Sequence, residues 1–224
     1  MKRVKNSVPL VETAFQRLRQ EIQDGRLQPG TRVVEQEVAE RLEMSRTPIR
    51  EAMRRLEEVG LIMQAPHRGL VVGSLDPQAV NELYEMREGL EGIAAEMSAR
   101  HASDAERQVM QQLLEREPSL PNEPNVLAEH NRALHDTIYR ASHNRYLLRT
   151  LGGLRDAMAL LGPTTFTVEG RRAAAHEQHR AIVGAIAAGD AAAAGEAARA
   201  HIRSAHVIRV GMLTEQGVTR IDLI

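Results

Sequence analysis

The sequence predicts a mainly α protein in two parts, an N-terminal winged helix-turn-helix and a C-terminal antiparallel six-helix bundle. Three observations predict it. Aromatic residues are only 2% of the chain and Trp is absent, while Ala, Leu, Glu and Arg stretches are long; that balance favours helix over strand. The first seventy residues hold three short segments of helical period and then two short β-like runs. After Ser74-Leu75-Asp76-Pro77 the period stays helical, interrupted only by Pro- and Gly-bearing breaks. The expected domains are therefore residues 1–74 and 75–224.

Taken in order, residues 1–7 read as a loose basic tail. Leu10 to Gly25 is an amphipathic helix, with Leu10, Ala14, Leu18 and Ile22 four apart. Gly25 to Gly30 is a turn cluster. Val34 to Leu42 is a second helix with Val34, Val38 and Leu42 on one face. After the tight turn Glu43-Met44 comes the stretch on which the first part is organised, Met44 to Leu56. Ile49, Met53 and Leu56 make its apolar face, and Arg46, Arg50 and Arg54 recur every four residues on another. Ser45 suits the N-cap, its hydroxyl meeting an orphan backbone N–H, and Pro48 falls in the first turn. Gly60 ends the pattern. Leu61 to Met63 and Leu70 to Val72 then flank a loop carrying Pro66, His67, Arg68 and Gly69, which reads as a hairpin or wing. An apolar-backed helix with arginines near its N-terminus, and a wing offering His67 and Arg68, have the chemistry of a DNA-binding module. Guanidinium forks match phosphate oxygens and the O6/N7 edge of guanine.

In the second part Asp76 or Ser74 can cap a helix with Pro77 in its first turn. Helices are expected at Val80–His101, Ser103–Glu117, and roughly 125–142, 144–161, 168–188 and 190–213, with a short irregular tail. Charge divides the chain as well. Residues 1–75 carry 13 Lys+Arg against 10 Asp+Glu, and the remainder carries 16 against 20. Eight of the nine histidines lie in the acidic part, so the two parts are expected to take different ligands. No cysteine is present, which excludes disulfides and thiolate metal sites. No apolar run approaches membrane-spanning length, and no signal-peptide pattern follows the basic start. A cytoplasmic protein with no membrane partner is expected.

The histidines are spaced for a shared site. Asn131 and His135 are four apart and share a helix face. With Gly189-Asp190 as the turn between two antiparallel helices, His179 and His201 both lie roughly 15–17 Å from that turn at about 1.5 Å per residue. They therefore fall side by side. His176, one turn from His179, reads as a supporting or exposed group. His101, His130, His143 and His206 do not fit the pattern and read as solvated or capping residues. Arg87 lies between apolar Leu83 and Leu90. It either snorkels from the core or, facing a polar cavity, binds a carboxylate bidentately.

The first part resembles the GntR family of bacterial transcription regulators. The resemblance is carried by Gly25-Arg26-Leu27-Gln28-Pro29-Gly30, Glu35-Gln36-Glu37-Val38-Ala39, Ser45-Arg46-Thr47-Pro48-Ile49-Arg50-Glu51-Ala52, Leu56-Glu57-Glu58-Val59-Gly60-Leu61 and Arg68-Gly69. It implies that Ser45, Arg46, Thr47 and Arg50 meet double-stranded operator DNA and that the wing near Gly69 enters the minor groove. Some members of the FadR type carry a DNA-contacting arginine where this chain has Gln36, which implies a different operator preference.

The second part resembles the ligand-binding FCD domain of the FadR subfamily. The residues are Arg87 with Leu90-Glu91, Asn131 to His135, Ala141-Ser142-His143-Asn144, His179-Arg180-Ala181-Ile182, Gly189-Asp190 and His201. Six helices rather than seven are similar to the VanR-type branch. The resemblance implies a divalent metal, zinc or nickel, on Asn131, His135, His179 and His201, with Asn131 standing where aspartate is usual. It implies a small carboxylate effector near Arg87 and Asn144. The expected protein is a homodimeric regulator, a repressor, and not an enzyme. The alternative is a metal-dependent enzyme domain fused to a helix-turn-helix, since three His and an amide oxygen suit an open catalytic zinc. No carboxylate is placed as its general base, because Glu177 and His176 are helix neighbours that face different ways.

Overall fold

The computed structural model describes residues 7–215 and divides into two compact units. The expected basic tail, apart from Ser7, and the expected C-terminal tail beyond Glu215 lie outside the described residues. The first unit takes in the chain up to Leu75 together with Arg155–Gly162, and the second holds Asp76–Leu154 and the chain from Pro163 onward.

In the first unit α1 spans Ser7–Gln23, α2 Glu35–Arg41 and α3 Arg46–Glu58. The first helix begins earlier than the apolar period suggests because Pro9 is tolerated in a first turn. Ala14, Leu18 and Ile22 are buried as their spacing requires, whereas Leu10 is exposed at the end of the stripe. They pack with Ile49, Met53 and Leu56 of α3, Val38 and Leu42 at α2, and Leu61, Ile62 and Val72 of the wing. Ser45 does occupy the N-cap of α3 with extended backbone, but its hydroxyl makes no capping bond, contrary to expectation. Gly60 follows the helix at φ +75°, a conformation other side chains resist, and its N–H reaches the Glu57 carbonyl at 3.0 Å.

The wing is antiparallel, β1 Ile62–Ala65 and β2 Gly69–Val72, in register Ile62↔Val72 to Ala65↔Gly69. Periodicity does not reveal its third edge. Residues 30–33 add this short edge, with Arg32 bridged to Val71, Val33 N–H on Leu70 O and Val72 N–H on Thr31 O. Residues 155–162, assigned by sequence to the helical part, pack into the first unit. Leu160 is buried among its core residues, and Arg19 Nε and Gln23 Nε2 both donate to Asp156 Oδ1, at 2.8 and 2.7 Å. Leu160→Ala is expected to destabilise this unit by about 2–3 kcal/mol, from lost burial and a residual cavity. Urea unfolding of the full chain, compared with the wild type, measures it; an unshifted midpoint would place Leu160 outside the core.

The second unit is helical among its described residues: α4 Pro77–His101, α5 Asp104–Arg116, α6 Pro124–Ala141, the start of α7 Arg145–Ala159, α8 Arg171–Ala188 and α9 Ala191–Glu215, with short 3-10 turns at Glu117–Ser119 and Thr165–Thr167. Six α-helices after the linker agree with the sequence. Asp76 caps α4 by accepting from Ala79 N–H at 2.7 Å, and Ser103 and Glu106 form a reciprocal capping box at α5. The eighth helix starts at Arg171 rather than near 168, because the 3-10 turn and the left-handed Gly170 intervene. With so few aromatic residues, helices close on small ones: Ala94, Ala95, Ala99, Ala194 and Ala198 are buried. Gly92 and Gly195 leave the room in which Arg199 and Glu96 lie, the two ends joined at 2.6 Å. No helix among the described residues is long and apolar enough to cross a membrane.

Candidate functional site

In the helical unit, α6, α8 and α9 bring His135, His179 and His201 together. The ring centroids are 5.6 Å apart for His135–His179, 5.1 Å for His135–His201 and 4.8 Å for His179–His201. All three are buried, at 7%, 1% and 2% exposure. One ring nitrogen from each lies within 4.8 Å of the other two, close enough to share an ion. The turn at Gly189 sets the α8–α9 pairing; its φ of +71° ends α8, and Asp190 Oδ1 caps α9 by accepting from Ala193 N–H at 3.0 Å.

Each imidazole is oriented by an oxygen that only accepts. His135 Nδ1 stands 2.9 Å from Glu91 Oε2, His179 Nδ1 3.0 Å from Glu117 Oε2 and His201 Nδ1 2.9 Å from Gln178 Oε1. The proton therefore sits on Nδ1 in each ring, and Nε2 carries the lone pair. Nε2 of His135 and of His179 is buried without a hydrogen-bond partner. Orphaned buried acceptors of this kind, each with its far nitrogen tied to an oxygen, are the arrangement of metal-binding histidines and their supporting carboxylates. The charge state agrees. Burial pulls both His179 and His201 below the usual imidazole range, His201 far below, and a ligand imidazole must be neutral.

The surrounding charges are paired or buried. Arg87 Nε donates to Glu91 Oε1 at 2.8 Å, and its guanidinium lies over the Tyr84 ring at 4.9 Å. Arg87 is thus paired with the carboxylate of Glu91, one turn along its own helix. Burial pushes the Glu91 carboxyl up, yet Arg87 and the bond from His135 outweigh it and hold it at about 2. Burial likewise raises Glu117, and the bond from His179 more than reverses the shift. His176 Nδ1 is 3.4 Å from the same Glu117 oxygen. Arg171, 3% exposed, donates from Nη1 to Gln178 Oε1 at 3.0 Å, while its Nε is buried without a partner. Burial pulls its pKa down.

Of the other residues singled out by sequence, Asn131 lies one turn before His135 on α6, half-buried. Asn144 Oδ1 accepts from Tyr146 and Leu147 N–H at 3.0 and 3.1 Å, so the side chain caps α7. His130 bonds the Leu113 carbonyl, His143 bonds Glu106, and His206 stacks on Tyr84. Periodicity missed Glu117, Gln178 and Arg171. Glu91 offered a signal, lying four residues after Arg87.

In the first unit Ser45, Arg46, Thr47, Arg50 and Arg54 are all exposed on or beside α3. Arg46 Nε and Arg50 Nη2 share Glu35 Oε1 at 2.7 and 3.0 Å, and Arg50 Nε takes Glu35 Oε2 at 2.9 Å. Arg54 is held by Glu51 and Glu58 of its own helix. His67 sits at the wing tip at φ +59°, and Arg68 Nη2 turns back to the Gly30 carbonyl at 3.2 Å, just before Gly69 opens β2. An open hollow of about 390 Å³ lies between these elements, lined by Arg32, Glu35, Arg50, Arg54 and Gly69 among others.

A winged helix with an arginine-bearing third helix, followed by an all-helical domain enclosing a three-histidine cluster, defines a DNA-binding transcription regulator. The chain belongs to the gntR family of bacterial regulatory proteins, whose family model matches residues 10–72, and the FCD domain matches residues 82–204. It is 32% identical to the uncharacterized HTH-type transcriptional regulator YdhC of Bacillus subtilis over 75% of this chain and 76% of that one. It is 33% identical to a probable D-xylose utilization operon transcriptional repressor of Paenarthrobacter nicotinovorans over 81% and 80%. In fold it is similar to Escherichia coli McbR/YncC, with a TM-score of 0.74 at 22% identity over 93% of this chain and 98% of that one. These relatives are regulators, so the chain is a regulator and the enzyme alternative falls.

Proposed function

We propose that this regulator is a homodimeric repressor that binds operator DNA through Ser45, Arg46, Thr47, Arg50, Arg54 and the wing residues His67, Arg68 and Gly69. Its affinity is controlled by a small carboxylate bound beside a divalent metal, zinc or nickel, on His135, His179, His201 and Asn131. The repressor name of the P. nicotinovorans relative supports the direction of control. The observation that carries the effector reading is the donor set. Three neutral imidazoles leave the ion's double charge intact, and Asn131 adds an uncharged oxygen where a carboxylate would cancel part of it. Glu91 is already committed to Arg87 and His135, and Glu117 to His179. An anion is the ligand that such a site lacks, and Arg171, whose buried Nε has no hydrogen-bond partner, adds positive charge beside it.

Asn131→Asp tests the reading. The variant is expected to hold metal more tightly against a chelator and to bind the effector acid more weakly, both measured by titration calorimetry on stripped protein. Arg87→Ala is expected to lose the acid response in a gel shift on the protein's own upstream region, with operator binding retained. A wild type that neither contains nor takes up metal by elemental analysis would overturn the metal site.

A further inference from the structure

The three-way clasp of Glu35 on Arg46 and Arg50 is not explained by stability. All three side chains sit at the surface, the arginines 62% and 69% exposed and the glutamate 21%. Exposed pairs of this kind contribute little to folding. What the clasp does is fix direction. Arg46 and Arg50 lie one turn apart on α3, and Glu35 is the first residue of α2. Its two oxygens accept from both Nε atoms and from Arg50 Nη2. One edge of each guanidinium is thereby turned to the protein, which sets the orientation of its remaining N–H groups. The hydrogen bonds from Arg50, together with the one from Arg46, hold the Glu35 carboxyl at about 2 against its desolvation, so it is charged near neutral pH. The clasp also sets one negative charge against a pair of positive ones, leaving a net charge of about one.

We propose that Glu35 is a specificity-determining positioning residue, a carboxylate that aligns Arg46 and Arg50 for base edges and suppresses their attraction to phosphate at other sequences. This rests on the reading that those two arginines face DNA. Two long side chains ordered before binding lose less freedom on reaching a base. A net charge lower by one weakens sequence-independent binding, whose salt dependence follows the number of phosphates neutralised.

The test uses the full chain and a pool of duplexes with a randomised core. Wild type, Glu35→Gln and Glu35→Asp are each taken through selection and sequencing. Fluorescence anisotropy then compares a selected duplex with an arbitrary one across a salt series. Glu35→Gln is expected to bind the arbitrary duplex about threefold to tenfold more tightly, with a salt slope steeper by about one per binding domain. The ratio of selected to arbitrary affinity falls at least about tenfold. Glu35→Asp keeps the charge but is one methylene too short to span both arginines, so it loses the ratio while keeping the slope. If Glu35→Gln melts below the assay temperature, Glu35→Asp alone decides. An unchanged ratio and unchanged motif in the folded variants overturn the proposal. Arg46→Ala and Arg50→Ala separate the two readings: if they too bind as wild type, the docking itself is wrong, and if they lose the selected duplex, only the role of Glu35 fails.

Discussion

His201→Ala is expected to leave a chain that cannot retain metal. Chelator-stripped wild type should take up about one zinc or nickel ion per chain, in keeping with the one cluster of three donors among the described residues. Removing one buried donor leaves His135 and His179 on α6 and α8 without the α9 arm of the site. Metal at about a hundred times its dissociation constant is expected to stabilise the wild type by about 2.7 kcal/mol, a melting transition higher by about 5–10 °C for a chain of this size. The variant should show neither uptake nor shift. His206→Ala, which removes a ring stacked on Tyr84, should keep both. Uptake by the His201 variant equal to wild type would dissolve the site.

Acid acts on the same residues. The pKa values of His179 and His201 are lowered in the folded chain. Between their lowered values and the ordinary imidazole value near 6.5, the unfolded chain binds more protons than the folded one. Their contribution to stability is therefore complete above about pH 6.5 and is lost as pH falls through that window. Glu91, held at about 2, does not titrate there. A stripped chain whose melting temperature stayed level from pH 7 to 5 would contradict the burial of these rings.

Replacing Arg46 or Arg50 by Ala is expected to weaken binding to the upstream region by about 1–3 kcal/mol each, the range for a bidentate contact to a base. The two effects should not add, because the arginines share Glu35 and loss of one changes the hold on the other. Arg54 should matter less. Glu51 and Glu58 already take its guanidinium, so fewer of its N–H groups are left for a base or a phosphate. Gel shifts at several salt concentrations separate base contacts, which change the preferred sequence, from phosphate contacts, which change the slope. With a dimeric chain, protected half-sites should lie about one helical turn apart. Full specific affinity in both arginine variants would overturn this docking of α3.

Much of the molecule is legible in the residues. The constant rise of an α-helix makes distance from a turn readable as a count, which is why His179 and His201 meet across Gly189-Asp190. The same periodicity places Arg46, Arg50 and Arg54 on one face and Ile49, Met53 and Leu56 on the other. Caps at Asp76 and Ser103 are legible because their chemistry is local. The Asn144 cap of α7 has the same local origin, since a residue just before a helix is drawn to that helix's own N–H groups. What only the tertiary structure decided was which acceptor serves which donor: Glu35 for two arginines, Glu91 for Arg87 and His135, Glu117 for His179, Gln178 for His201, and residues 155–162 for the core of the first unit. Those pairings depend on the crossing angle and register of separate elements. Many carboxylates along the chain offer the same chemistry, and only packing selects among them.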